Sequence, residues 1–231
     1  MNPPPLIDGP EEIPKEGAFV LVANHYQRRG LWIGHAGSVI TKTLYEVNRH
    51  DPPIRWVVTA NLPTVRFLGR EWTIPLTTWS LDRVAAIFSM ISIPRIESQT
   101  LRRGLALRRL LQTLRTQAAG PPIGLFPEGV HGTADGLTRP EPGIGRLLFL
   151  IAGMEMPILP VGISEADQRL VVKFGRLIPP EEIEGMVEED DIDQTVATYV
   201  MRRIAELLPH SLHGAYRSSI NPLLHKNKSS P

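Results

Sequence analysis

Four short segments set a chemistry-bearing side chain just past an apolar run. The first, LVANHYQRRG from Leu21 to Gly30, closes on Asn24-His25 and continues into Arg28-Arg29. An imidazole titrates near neutral pH, so His25 is placed to accept a proton as a general base. A base of that kind is usually held by a carboxylate, and none follows His25 as far as Gly30. The second, PIGLFPEGVHG, supplies Pro127 to stop a strand, the carboxylate of Glu128, and Gly129 for a tight turn. The third, ISIPRI, puts Arg95 beyond another apolar run, and the fourth, LPVGI, sets Pro160 inside one. Taken singly, each has a plain reading: a satisfied strand-end histidine, an ordinary turn, a surface arginine, and a proline at a sheet edge or strand entrance.

The elements between these segments must bring them together. Ala18 to Asn24 is a continuous Val-rich apolar run after Gly17, as suits a strand buried on both faces. Leu31 to Val47 carries apolar residues at helical spacing. Ile54 to Ala60 reads as a second strand, Leu81 to Ile91 as a short helix, and ISIPR as an extended segment. Ser98 can cap a helix whose stripe is Leu107, Leu110, Leu111 and Leu114. PIGLFPEG is a further buried strand, Gly143 to Met154 a helix, PILPVGI a strand, and RLVVKFGRLI one strand, or two with a turn at Gly175. Thr195 to Leu208 makes the last helix. Strands alternating with helices predict an α/β fold, a central mostly parallel sheet with helices on both faces. Functional residues of such sheets gather past the strand ends. Residues 1–16 read as an extended leader, 17–209 as the α/β domain and 210–231 as a polar tail, with the acidic stretch around Glu184 to Asp193 the best candidate for a linker or loop.

Composition narrows the chemistry. At 231 residues and 42% hydrophobic, the chain suits one domain with a substantial core. It has no cysteine, which excludes disulfides, thiolate metal sites and a cysteine nucleophile, and fits a reducing compartment. Its 25 Lys and Arg nearly cancel its 24 Asp and Glu. With aromatics at 6% and not interleaved with the arginines, nucleic acid is not an expected partner. The doublets Arg28/Arg29, Arg102/Arg103, Arg108/Arg109 and Arg202/Arg203 are either solvated helix faces or contacts to an anionic partner. The most apolar window, Ile144 to Ile163, holds Arg146, Glu155, Pro157 and Pro160 and makes a poor membrane span. The expected location is cytoplasmic, free or held peripherally at the membrane face. No Gly-x-Ser-x-Gly elbow supports a hydrolase.

Read in order, Asn-His, Ile-Pro-Arg, Phe-Pro-Glu-Gly and Leu-Pro-Val-Gly resemble the motifs of the glycerolipid acyltransferase family, the lysophospholipid and glycerol-phosphate acyltransferases of the PlsC type. The resemblance runs from about Ala18 to Ile178. It implies a glycerol-phosphate acyltransferase-like fold, with His25 as the base that deprotonates an acceptor hydroxyl. It also implies an acyl thioester donor, acyl-CoA or acyl-carrier protein, a glycerol-phosphate or lysophospholipid-like acceptor, and an anionic membrane surface nearby. Neither a cofactor nor a metal is implied. Asn24, Arg95, Glu128, Gly129 and His131 are the expected substrate-binding residues. Two positions depart from the family pattern: Gly30 stands where an aspartate orients the histidine, and His131 where an arginine is usual. Glu128, a backbone carbonyl or a water could orient His25 instead, and Gly30→Asp would restore a carboxylate if the backbone there follows the family. The alternative implied by the same departures is a relative that binds acyl chains or lipids without turnover.

Overall fold

The structure, a computed structural model, describes residues 3–49, 53–60, 64–67, 70–73, 91–94, 112, 120–129, 133–187 and 189–219. In chain order the strands are β1 (Leu6–Asp8), β2 (Val20–Ala23), β3 (Arg55–Ala60), β4 (Thr64–Phe67), β5 (Arg70–Thr73), β6 (Ile91–Pro94), β7 (Ile123–Leu125), β8 (Ile158–Ala166) and β9 (Arg169–Phe174). The helices are α1 (Ile33–Asn48), α2 (Ile144–Ala152), α3 (Pro180–Glu184) and α4 (Ile192–Ala205). A seven-stranded sheet runs in the order β1-β9-β8-β2-β7-β3-β6, and β4 and β5 form a separate antiparallel pair. All neighbours in the larger sheet are parallel except β8 and β9, which form a hairpin. Of the helix expected over Leu81 to Ile91 only Ile91 is described, and it opens β6; of the helix expected after Ser98 only Gln112 is described, and it is helical.

The period of a strand explains how β2 sits at the centre. Val20 and Val22 point into the cluster built with α2, α3 and α4, including Leu148, Ile151, Val200 and Ile204. Leu21 and Ala23 point the other way, with Phe19, into the cluster built with α1 through Ala36, Ile40 and Leu44. Every β2 residue is fully buried, so each Val or Leu contributes on the order of 1.5–3 kcal/mol of burial. Helices therefore cover both faces, as an α/β pattern requires.

Close approach of α2 and α4 depends on one residue. A Cβ at Gly145 would lie 1.9 Å from the carbonyl oxygen of Asp193. The β8–β9 hairpin turns through Asp167 and Gln168, with φ of 50° and 61°, the left-handed pair that a type I′ turn needs.

Three expectations change. Pro160 is not at an edge or an entrance: it lies inside β8, between β2 and β9, opposite Val22. The fold tolerates it because β9 bulges there. Val161 pairs with Phe174 and Ile158 with Ile178, so one strand has a residue more than the other between the two pairs. The Pro160 carbonyl accepts from the Gly175 N–H at 2.9 Å, so the proline nitrogen faces this bulge, where no ladder bond is lost. Within the expected leader, Leu6–Asp8 is a strand paired with Val171–Lys173 of β9, and Ile13 is buried. The stretch after residue 210 continues as two 3-10 turns, His210–Leu212 and Gly214–Ser219, which put Tyr216 in the core.

Candidate functional site

The carboxyl ends of β2 and β7 are neighbours, since Val22 pairs with Leu125. The residues that follow them, Asn24-His25 and Phe126-Pro127-Glu128-Gly129, therefore meet at the carboxyl end of the central strands. The His25 backbone N–H donates to Glu128 Oε2 at 2.7 Å. The imidazole stands edge-on to the Phe126 ring, centroids 5.5 Å apart and planes at 78°. Phe126 in turn stacks on Trp56 of β3 at 4.9 Å, and Trp56 Nε1–H donates to the Thr41 hydroxyl of α1 at 3.1 Å. Gly124 makes room for the indole, because a Cβ there would come within 2.4 Å of it. Apolar packing thus fixes one side of His25.

Glu128 faces inward. Its carboxylate is 1% exposed and accepts the His25 N–H, the Thr138 N–H at 2.6 Å and the Thr138 hydroxyl at 3.0 Å. Burial holds its carboxyl above the usual carboxylate range, and these three donors offset only part of that shift. Burial also pushes the Tyr216 hydroxyl up to about 12, with the Glu128 charge adding to the effect. Glu128 is thus a staple between the β2 end, the β7 turn and the segment after it. The turn is closed by the Gly129 N–H to the Phe126 carbonyl at 3.0 Å. Gly129 has φ of 60°, and a Cβ on it would press on the Glu141 side chain at 2.9 Å.

Asn24 is 4% exposed and spends both ends of its amide on one residue of β8. Its Nδ2 donates to the Ile163 carbonyl at 2.9 Å, and its Oδ1 accepts the Ile163 N–H at 2.6 Å. The side chain thus imitates one more rung of the β2–β8 ladder. Arg95 and His131, the remaining expected contacts to substrate, lie outside the described residues.

Gly30 is exposed and belongs to a tight turn. The Arg28 and Leu31 backbones exchange both hydrogen bonds, at 3.0 and 2.9 Å, with Gly30 at φ 84° in the third position, as a type II turn requires. Within 4 Å, a Cβ at Gly30 would meet only Arg28 Nη1, at 3.8 Å. A carboxylate at that position starts out beside Arg28, in a backbone conformation that side chains disfavour.

Tyr26 and Glu165, which the sequence did not single out, complete the surroundings together with Arg28 of the first basic doublet. Arg28 makes a forked salt bridge to Glu165 at the end of β8, and the Tyr26 hydroxyl donates to the same carboxylate at 3.1 Å. The Arg28 hydrogen bonds hold the Glu165 carboxyl below the usual range, whereas burial and then Glu165 raise Tyr26. An open cleft of about 560 Å³ lies beside this turn, lined among others by Arg28, Leu31, Trp32, Val39, Glu165 and Leu170. The Trp32 indole is 67% exposed there.

Among the described residues, no group of three His, Cys, Asp or Glu is arranged to hold a metal ion, and no helix is long and apolar enough to cross a membrane. No protein-family model matches the chain, and no curated protein matches it either.

Proposed function

We propose that the protein transfers an acyl group from a thioester, acyl-CoA or acyl-carrier protein, to a hydroxyl of a glycerol-phosphate or lysophospholipid-like acceptor. The observation that carries this reading is the meeting of His25 with the Phe126-to-Gly129 turn at neighbouring parallel strand ends, with the ring packed on Phe126 and its peptide held by Glu128. In the proposed step His25 takes the proton of the acceptor hydroxyl as its oxygen attacks the thioester carbonyl. The carbon–sulfur bond then breaks, and the imidazolium returns the proton to the departing thiolate. Glu128 acts through the main chain, because its carboxylate accepts from the His25 and Thr138 N–H groups and the Thr138 hydroxyl. Arg95 and His131 are proposed to hold the acceptor's anionic group. The apolar wall of the cleft, Leu31, Val39 and Leu170, would take the acyl chain. Exposed Arg29 and Trp32 would rest on an anionic membrane face on the cytoplasmic side.

A second reading has its own observation. Gly30 sits at positive φ in an exposed turn where the family pattern has a carboxylate, which favours an acyl-binding relative without turnover. Thiol release from an acyl thioester, followed with and without a lysophospholipid acceptor, separates the two. Acceptor-dependent release supports the transferase, acceptor-independent release indicates a thioesterase, and saturable thioester binding without release supports the non-catalytic relative.

A further inference from the structure

We propose that Glu165 is a positioning residue for the His25 imidazole, acting through Tyr26 and Arg28. The inference rests on the reading of His25 as the reactive base. The Tyr26 N–H donates to the Asn24 carbonyl at 3.1 Å, which closes a three-residue turn with His25 at its apex. A turn of that size holds its central side chain only as firmly as its two arms are held. The first arm is fixed by Asn24, whose amide clasps the Ile163 backbone on β8. The second arm has no ladder of its own. It is tied to β8 two residues further on, where Glu165 accepts from the Tyr26 hydroxyl and from both branches of the Arg28 fork.

The three tethers alternate along the chain. Asn24, Tyr26 and Arg28 all grip β8, while His25 between them stands over Phe126 on the β7 side. The turn at Gly30 completes the device, because it folds Leu31 back onto Arg28 while the guanidinium stays on Glu165. A carboxylate five residues after the base would act on the ring directly. Here a carboxylate from the neighbouring strand acts on the main chain that carries the ring. Arg28 holds that carboxyl below its ordinary range, so the brace stays charged through neutral pH.

The test uses the full chain with Glu165→Ala, Arg28→Ala and Arg28→Lys, and a His25→Gln variant to identify the His25 signals by histidine-labelled NMR. The proposal expects Glu165→Ala to shift the His25 ring resonances and their titration, and to change the rate of His25 modification by diethyl pyrocarbonate several-fold. A displaced base costs turnover up to about 10²-fold, so kcat should fall with KM unchanged. Arg28→Ala should do the same to a smaller extent, and Arg28→Lys should recover part of it. A merely structural role would lower the melting temperature and leave His25 unmoved in the folded protein. Unchanged His25 resonances and modification rate in folded Glu165→Ala overturn the proposal. If that variant does not fold, the same result in Arg28→Ala overturns it. If the wild type releases no thiol, the acyl-transfer reading fails by itself, and the His25 resonances still decide this one.

Discussion

Replacing Glu128 with alanine removes the acceptor for three donors at once. Two are backbone N–H groups, of His25 and Thr138, in part-buried hydrogen bonds to a carboxylate that is 1% exposed. A fully buried N–H left without an acceptor costs about 1–3 kcal/mol, so this part-buried pair costs at most about 2–6 kcal/mol. The Thr138 hydroxyl can rotate to another partner and adds little. Against this stands relief from desolvation, since burial already disfavours the Glu128 charge. A net loss of about 2–4 kcal/mol is a large share of a domain stability of about 5–15 kcal/mol. At a urea slope of about 2–3 kcal/mol/M, the unfolding midpoint should drop by roughly 0.7–2 M with the slope unchanged. An intact midpoint would refute the reasoning. It would mean that solvent reaches these N–H groups and that the carboxylate does not staple the strand ends.

Further outcomes follow from the same geometry. Glu128→Gln keeps the shape but turns an amide donor towards a backbone donor, so it too is destabilised. Because the folded-state Glu128 carboxyl lies above its unfolded value, its contribution is fully present below about pH 4.5 and is lost as pH rises through the raised value. The stability gap between wild type and Glu128→Gln should therefore be widest in acid and narrow towards neutral pH; a gap that widens with pH contradicts this. Gly30→Asp should cost about 1 kcal/mol for a side chain at φ 84° and bring no gain in turnover, because the new carboxylate starts beside Arg28. A rise in rate would show that it reaches the imidazole after all. Gly145→Ala should lower the melting temperature more than Gly153→Ala at the end of α2, since its methyl would lie 1.9 Å from the Asp193 carbonyl oxygen; an unaffected melt would show that α2 and α4 can separate freely.

The elements with strong burial patterns were legible in the sequence. The run Ala18 to Asn24 announced β2 because all of its strand residues are buried, and helical spacing announced α1. β1 carries no such signal: its three residues are exposed and follow three prolines, so only its pairing with β9 reveals it. Pro160 misled because its tolerance depends on a bulge in a different strand. Tyr216 was hidden in a polar stretch, where one aromatic docks onto the core. At the site, strand-end logic put His25 and Glu128 together. It could not tell which way Glu128 turns, nor that Asn24 bonds to Ile163, because those partners lie 103 and 139 residues away in sequence. Glu165 had one usable signal, a carboxylate closing the apolar run of β8 as Glu128 follows that of β7.

The central claim is that His25 drives acyl transfer to a hydroxyl. Its most direct test is to incubate the protein with an acyl-CoA and a lysophospholipid and to quantify the acylated lipid by mass spectrometry, for the wild type and for folded His25→Ala. The account predicts time-dependent, enzyme-dependent product from the wild type and background levels from His25→Ala. Equal product from both, or none from the wild type with any thioester and acceptor pair, would contradict it.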